Sequence, residues 1–290
     1  MNCLFCKSSE IEPTVIPRKT YFNNKIFSYS RCKNCALVFI DPLPVEDDYA
    51  IMYSSKYHED FYFNDCIPDY SDLLQNILPY KTDATILDYG CGDGSFLKFF
   101  QKNNFKCTGT EFTSDLVKNL KIKNDGIEFF GIDEFWDKNE SNTYNFIHLG
   151  DVLEHLTAPE EMIQKLCKRL NSEGGIIIFR GPLEDNASFG FMCRYATSWI
   201  QQKLNPTSVA THVPYHISFA DINNQEILFK RAGLEKLHYK VWETPWPYPE
   251  SAEGGLGTKI KYVLGQISVF LVKKFSTKHG NRFLYIGRIR

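Results

Sequence analysis

Three groups of residues in this 290-residue chain have the types and spacing to do chemistry. The first is the run Asp88-Tyr89-Gly90-Cys91-Gly92-Asp93-Gly94, with an acid, Glu111, 23 positions after Asp88. Alternating glycines let backbone approach a ligand closely. A short apolar run, a glycine loop, a helical pattern and a second apolar run ending in an acid together make half of a nucleotide-binding α/β unit. The spacing is G-x-G-x-G, not the G-x-G-x-x-G that presents backbone N–H groups to a pyrophosphate, and Asp88 and Asp93 would repel phosphates. The second group is Cys3-x-x-Cys6 and Cys32-x-x-Cys35, two pairs that each bring two thiolates within reach of one tetrahedral ion. The third is Glu154-His155 and Tyr215-His216, which can exchange protons near neutral pH.

The acids around the glycine loop suit a ligand that carries an ammonium and a sulfonium, and S-adenosylmethionine is such a ligand. The loop resembles the first motif of the class I S-adenosylmethionine-dependent methyltransferases, an acid followed by G-x-G-x-G, and the resemblance extends over roughly residues 70 to 185. It implies an α/β, Rossmann-like fold with a seven-stranded, mostly parallel sheet and helices on both faces. It also implies that Asp88, Gly90, Gly92 and Gly94 hold the methionine end, with Cys91 between them, that Glu111 binds the ribose hydroxyls and that Phe112 packs on adenine. Gly131-Ile132-Asp133 resembles the family's adenine-edge segment. Tyr144 to His155 resembles its fourth strand and following loop, which places Leu149 and Gly150 in the cofactor site and Glu154 and His155 beside the transferable methyl.

The elements that position these residues follow from periodicity and punctuation. Asp69 to Leu78 is a short amphipathic helix ended by Pro79, Pro159 opens a helix that Gly174-Gly175 stops, and Gly175 to Phe179 is an unbroken apolar strand buried on both faces. Asp221 caps a helix ending at Ala232-Gly233, and Leu234 to Trp242 and Arg282 to Ile289 are the last two strands. Arg180 to His216 has no regular period, and an insertion beyond the carboxyl end of such a strand is expected to be the acceptor lid, at about 182–217. Leu256 to Phe275 carries Ile260, Val263, Leu264, Ile267 and Leu271 at helical spacing with lysines at 259, 261, 273 and 274. Such a stripe is expected to cover the domain; a membrane-surface or partner helix is the alternative.

The cysteine pairs, with strand-like Val15-Ile16 and Lys25 to Tyr29 between them, predict a zinc ribbon over 1–45 holding one structural zinc at Cys3, Cys6, Cys32 and Cys35. Four reduced thiols are the alternative, and the presence of two pairs argues against a redox dithiol. Cys66, Cys91, Cys107, Cys167 and Cys193 have no such partners and are expected to be small core or loop residues. A connector over 46–68 is dense in Tyr49, Tyr53, Tyr57, Phe61, Tyr62 and Phe63, and the catalytic domain occupies 69–290. This layout resembles a group of bacterial methyltransferases, often acting on sugars or other small metabolites, in which the connector helps cover the active site.

Charge is near balance, 33 Lys+Arg against 35 Asp+Glu, so no broad polyanion-binding face is expected. No apolar stretch reaches the roughly 18 residues of a membrane span and Met1 to Lys7 holds no secretory core, so a cytoplasmic location is expected. The expected activity is methyl transfer to a small-molecule acceptor, a hydroxyl of a saccharide, nucleotide-sugar or related metabolite. His155 or His216 takes the hydroxyl proton while the other orients the acceptor with Glu154 and Tyr215. An RNA methyltransferase whose ribbon binds substrate and a methyltransferase-like binding protein without turnover are the alternatives. Oligomeric state, the acceptor's identity and the choice of O-, C- or N-methylation stay open at this level.

Overall fold

The computed structural model describes residues 1–54, 68–80, 84–138, 142–245, 248–249, 251–275 and 278–290. Tyr57, Phe61, Tyr62 and Phe63 of the connector, and Cys66, lie outside the described residues.

Four strands build the N-terminal unit: β1 (Ile11–Thr14), β2 (Thr20–Phe22), β3 (Lys25–Cys32) and β4 (Val38–Asp41), with β3 antiparallel to the other three. Helix α1 (Glu46–Met52) and, after the undescribed residues, α2 (Ser71–Ile77) lead into the α/β domain. There the order is β5 (Thr85–Tyr89), α3 (Ser95–Lys102), β6 (Lys106–Glu111), α4 (Ser114–Lys123), β7 (Glu128–Gly131), α5 (Ile132–Lys138), β8 (Phe146–Gly150), α6 (Pro159–Cys167) and β9 (Ile176–Pro182). It continues with α7 (Phe189–Leu204), β10 (Ser218–Phe219), α8 (Ile222–Arg231), β11 (Leu234–Trp242), α9 (Leu256–Phe275) and β12 (Arg282–Ile289). The sheet runs β11-β12-β9-β8-β5-β6-β7, parallel except for β12, which is antiparallel to both its neighbours. This is the Rossmann-like arrangement expected from the sequence.

Strand alternation divides the core into two layers. Ile86, Phe146, Ile176 and Ile178 face a layer filled by Leu73 and Ile77 of α2, Leu97 and Phe100 of α3 and Leu120 of α4. Leu87, Ile147, Ile177 and Phe179 face the other, with Ile163 and Leu166 of α6 and Leu228 and Phe229 of α8. Phe5, Phe27, Tyr29 and Phe39 of the N-terminal unit belong to this second core, so the unit is fused to the catalytic sheet. Backbone pairing extends the junction: β10 is antiparallel to β4, and the Tyr21 N–H donates to the Ala210 carbonyl at 2.8 Å.

Three local expectations change. Val15 and Ile16, expected to be strand-like, lie outside the strands. The region 182–217 contains the 16-residue helix α7, although no helical period was visible in it. Only Gly190 of that helix is buried, while Met192, Tyr195, Trp199 and Ile200 are exposed, so there is no inward apolar stripe to reveal it. Helix α9 has its expected span, but Ile260, Val263 and Ile267 of the stripe meant to cover the domain face solvent.

Candidate functional site

The chain leaves β5 through Gly90, Gly92 and Gly94, whose φ angles of 79°, 52° and 74° lie in the left-handed region that glycine occupies without strain. A Cβ at Gly90 would stand 2.7 Å from Val152 Cγ2. The N–H groups of Gly90 and Cys91 both donate to the Thr110 carbonyl, at 3.0 and 2.8 Å, which ties the loop to β6. Glu111, at the end of β6, accepts from the Gly92 N–H at 3.0 Å and the Phe112 N–H at 2.6 Å. Burial raises its pKa against these bonds.

Gly90, Glu111, Phe112 and Ile132 line a cavity of about 320 Å³ together with Val152, Leu156 and Met162. Phe112 is half exposed, and the Tyr53 ring lies edge-on to it at 5.9 Å. Apolar walls, a ring to stack on and an acid, Glu111, beside that ring suit a nucleoside. The other residues expected to bind cofactor do not line this cavity. Asp88 is buried and accepts from His148 Nδ1 at 2.7 Å, while His148 stacks on Phe96 at 3.8 Å, so Asp88 braces β5 against β8 and does not line the cavity. Cys91 is buried, its Sγ 2.9 Å from where a Cβ on Gly109 would stand, Leu149 is buried within β8, and Asp133 is exposed on α5. Gly92 and Gly94 complete the turn, and Gly150 lies against the His148 ring.

A second cavity, of about 420 Å³, shares Asp151 and His155 with the first. Asp151 follows β8 with φ 54°, which starts the short 3₁₀ turn Leu153–His155 and points Glu154 and His155 into the crevice at the carboxyl end of the sheet. Glu184 enters just beyond β9, Tyr215 and His216 from the segment before β10, Arg282 from the start of β12, and Tyr29 from the N-terminal unit. All four residues expected to be catalytic therefore line one chamber. Asp151, Tyr53, Glu184 and Arg282 were not identified as site residues in the sequence; only Tyr53 carried a signal, as part of the tyrosine-rich stretch.

The bonds in the chamber assign charges. His155 Nδ1 donates to the Tyr215 carbonyl at 2.8 Å and lies 2.9 Å from the Tyr53 hydroxyl, a tautomer that leaves Nε2 with the lone pair. Burial, helped by the neighbouring His216 charge, lowers the His155 pKa to about 4, so the ring is neutral at pH 7. His216 donates from Nδ1 to Glu184 Oε2 at 2.6 Å. Burial opposes its charge, but Glu184 outweighs burial and raises the pKa to about 9. Burial, with Asp151 nearby, pushes the Glu154 carboxyl up, and its Oε2 has no hydrogen-bond partner among the described residues. Arg282 forks onto both oxygens of Asp151. One donor atom each from Glu154, His155 and His216 lies within 4.8 Å of the others, close enough for a divalent cation to bridge them.

The Sγ atoms of Cys3, Cys6, Cys32 and Cys35 also lie within 4.8 Å of one another, with Cys3 to Cys35 and Cys6 to Cys32 at 3.5 Å. A residue of left-handed φ follows each pair, Lys7 at 61° and Ala36 at 64°, and its N–H donates to the carbonyl of the first cysteine. Two knuckles with thiols converging at this spacing fit a tetrahedral ion with Zn–S bonds of about 2.3 Å.

The model of a methyltransferase domain matches residues 61–239. Among solved structures, the complex between the Haloferax volcanii Trm112 methyltransferase activator and a candidate methyltransferase superposes with a TM-score of 0.50 at 14% identity, covering 84% of this chain and 97% of that one. A coclaurine N-methyltransferase bound to N-methylheliamine and SAH has a TM-score of 0.49 at 12% identity, covering 85% of this chain and 81% of that one. The PH0226 protein from Pyrococcus horikoshii OT3 has a TM-score of 0.48 at 14% identity, covering 82% and 100%. At these identities the resemblance is one of fold. No curated protein sequence matches the chain.

Proposed function

Since the chain belongs to the methyltransferase-domain family, we propose that it transfers the methyl group of S-adenosylmethionine to a hydroxyl of a small molecule, a saccharide, nucleotide-sugar or related metabolite. The observation that carries this reading is the junction of two cavities at Asp151 and His155, one ending at the glycine loop and Glu111, the other holding the histidine cluster. The donor sits in the first, with adenine between Phe112 and the apolar wall and the ribose at Glu111. The sulfonium already activates the methyl group, so the protein supplies alignment of donor and acceptor, exclusion of water and removal of one proton.

Neutral His155 takes the hydroxyl proton on Nε2, and the Tyr215 carbonyl holds its other nitrogen in the donating tautomer. The His216 cation, anchored by Glu184, faces the acceptor oxygen as negative charge develops on it. Zinc at Cys3, Cys6, Cys32 and Cys35 is structural, because four thiolates leave no open position. The near-neutral overall charge favours a small acceptor over RNA.

Two measurements test this reading. Calorimetry should give micromolar-range affinity for S-adenosylmethionine or its demethylated product, about 7 to 8 kcal/mol; tighter binding of NAD would refute the donor. Mass spectrometry of ligands co-purified in the second cavity identifies the acceptor class, and an oligonucleotide there would favour RNA.

A second reading of the same chamber rests on the unpartnered Glu154 Oε2 near the two imidazoles: Glu154, His155 and His216 would hold a divalent cation, which would supply Lewis acidity toward the acceptor hydroxyl in place of a base. Turnover that needs added Mn²⁺, with a Mn²⁺ spectrum that His216→Ala abolishes, selects it over the base.

A further inference from the structure

Helix α9 is oriented opposite to an ordinary surface helix. Its buried residues are Gly265, Ser268 and Val272, while Leu256, Ile260, Val263, Ile267 and Phe270, on the opposite side of the helix, are exposed. The inward face is small because it fits against its neighbours: a Cβ at Gly265 would stand 3.0 Å from Tyr248 Cβ, and Ser268 Oγ accepts from the Gly190 N–H of α7 at 2.8 Å. Helix α7 repeats the pattern, with Met192, Tyr195, Trp199, Ile200 and Leu204 exposed. The two helices meet at a shallow apolar groove of about 310 Å³ lined by Met192 from one and Leu271 and Phe275 from the other. Isolated exposed apolar residues are ordinary, but two packed helices turning their large side chains outward are not.

Charge identifies what covers this face. The 36 residues of α7 and α9 contain no Asp or Glu; besides Arg194, which turns inward and donates to the Glu184 carbonyl, they carry five lysines, Lys203, Lys259, Lys261, Lys273 and Lys274, in a chain whose net charge is −2. Lys203 Nζ lies 5.7 Å from the Trp199 ring centroid, and Lys274 Nζ lies 5.6 and 5.3 Å from those of Phe270 and Phe275. The lysine stems follow the apolar surface and bring their ammonium groups to its edge, as at a lipid–water boundary. A second copy of the chain would bring the same cations face to face across a two-fold axis, which like-charge repulsion disfavours. An anionic bilayer surface answers both features, because acyl chains accept the apolar stripe and headgroup phosphates accept the lysines. No helix among the described residues is long and apolar enough to cross a membrane. We propose that the outward faces of α7 and α9 form a peripheral docking surface for an anionic phospholipid membrane, on which the helices lie in the plane of the headgroups.

The test is co-sedimentation of the full chain with phosphatidylcholine vesicles and with vesicles that also contain phosphatidylglycerol. The expected result is at least about tenfold tighter association with the anionic vesicles, weakened by high salt. The double variant Ile267→Ser/Phe270→Ser and the double variant Lys273→Glu/Lys274→Glu should each lower association about tenfold or more while melting temperature and S-adenosylmethionine binding stay at wild-type values. Absence of binding to anionic vesicles, binding that neither variant alters, or light scattering that shows a dimer dissolved by Ile267→Ser/Phe270→Ser would each overturn the proposal.

Discussion

His155 and His216 lie 4.9 Å apart, ring to ring, yet carry different charges at neutral pH, because burial keeps His155 neutral while the Glu184 carboxylate holds His216 charged against its own burial. The expected pH dependence has two limbs. A base must be unprotonated, so activity rises as pH climbs through the His155 pKa of about 4 and is level from about 5. The His216 cation must be protonated, so activity falls as pH passes about 9. Removing the anchor in Glu184→Gln should move the alkaline limb down toward the ordinary 6.5, read from the pH profile of kcat. The same variant tests linkage. The folded pKa of His216 lies above 6.5, so its stabilising contribution is complete below that pH and is lost as pH rises through 9; Glu184→Gln should remove this decline in melting temperature. His155→Ala should lower kcat about 10²- to 10⁴-fold with donor affinity kept. If kcat stays near wild type, the enzyme works by positioning alone.

Among the elements, the strand-loop-helix unit depends on glycines for two different reasons. Gly90 has a left-handed φ and packs directly against Val152 where both line the proposed donor cavity, so Gly90→Ala should weaken S-adenosylmethionine binding at least about tenfold in calorimetry, with a smaller effect on melting temperature. Gly109 lies within β6, where a Cβ would come within 2.7 Å of Leu97 Cδ1 and 2.9 Å of Cys91 Sγ and Phe129 Cδ1. Gly109→Ala should therefore destabilise the fold by about 1 to 3 kcal/mol in denaturant titration, through overpacking between α3 and the sheet. Equal effects of the two substitutions on binding and on stability would contradict this division. The capping box of α8, in which the Asn224 N–H donates to Asp221 at 2.8 Å and the Asp221 N–H to Asn224 at 3.0 Å, shows the opposite case, an element set entirely by local sequence.

Across the whole molecule the N-terminal unit forms a wall of the chamber proposed to take the acceptor. Tyr29 lines that chamber, Thr20 Oγ1 donates to the His212 carbonyl at 2.7 Å, the Ile40 N–H donates to the Ile217 carbonyl at 2.9 Å, and Arg31 pairs with Asp185 at 3.0 Å. The Thr20 and Ile40 bonds hold the 208–218 segment that carries Tyr215 and His216, and the Arg31 pair ties the unit to the chain beyond β9. Loss of the proposed zinc should thus disturb the acceptor side and spare the donor side. Cys3→Ser/Cys35→Ser should reduce bound zinc from about one equivalent to near zero by elemental analysis and lower turnover, while S-adenosylmethionine affinity changes less than about threefold. Full zinc content in the variant would refute the ligand set. Unaltered turnover without zinc would refute the coupling between the unit and the chamber.

The glycine loop, the cysteine knuckles and the capped helix α8 were legible in the sequence because each rests on interactions between near neighbours, namely left-handed turns, ligand spacing and an Asp221–Asn224 exchange, whereas the seven-stranded sheet was implied by the family resemblance that the loop carries. Glu154, His155, Tyr215 and His216 were legible as residue types, but not their charges, since those come from burial and from Glu184, on a segment that folding brings against them. The Arg282 to Asp151 pair joins positions 131 apart, and no local pattern encodes it. Asp88 carries the motif, yet its partner His148 on β8 keeps it beneath the donor cavity. Helix α9 could be placed from its period, whereas the direction of its apolar stripe could not. A period fixes which residues share a face; only the packing of Gly265 and Ser268 against Tyr248 and α7 determined that the larger face points outward.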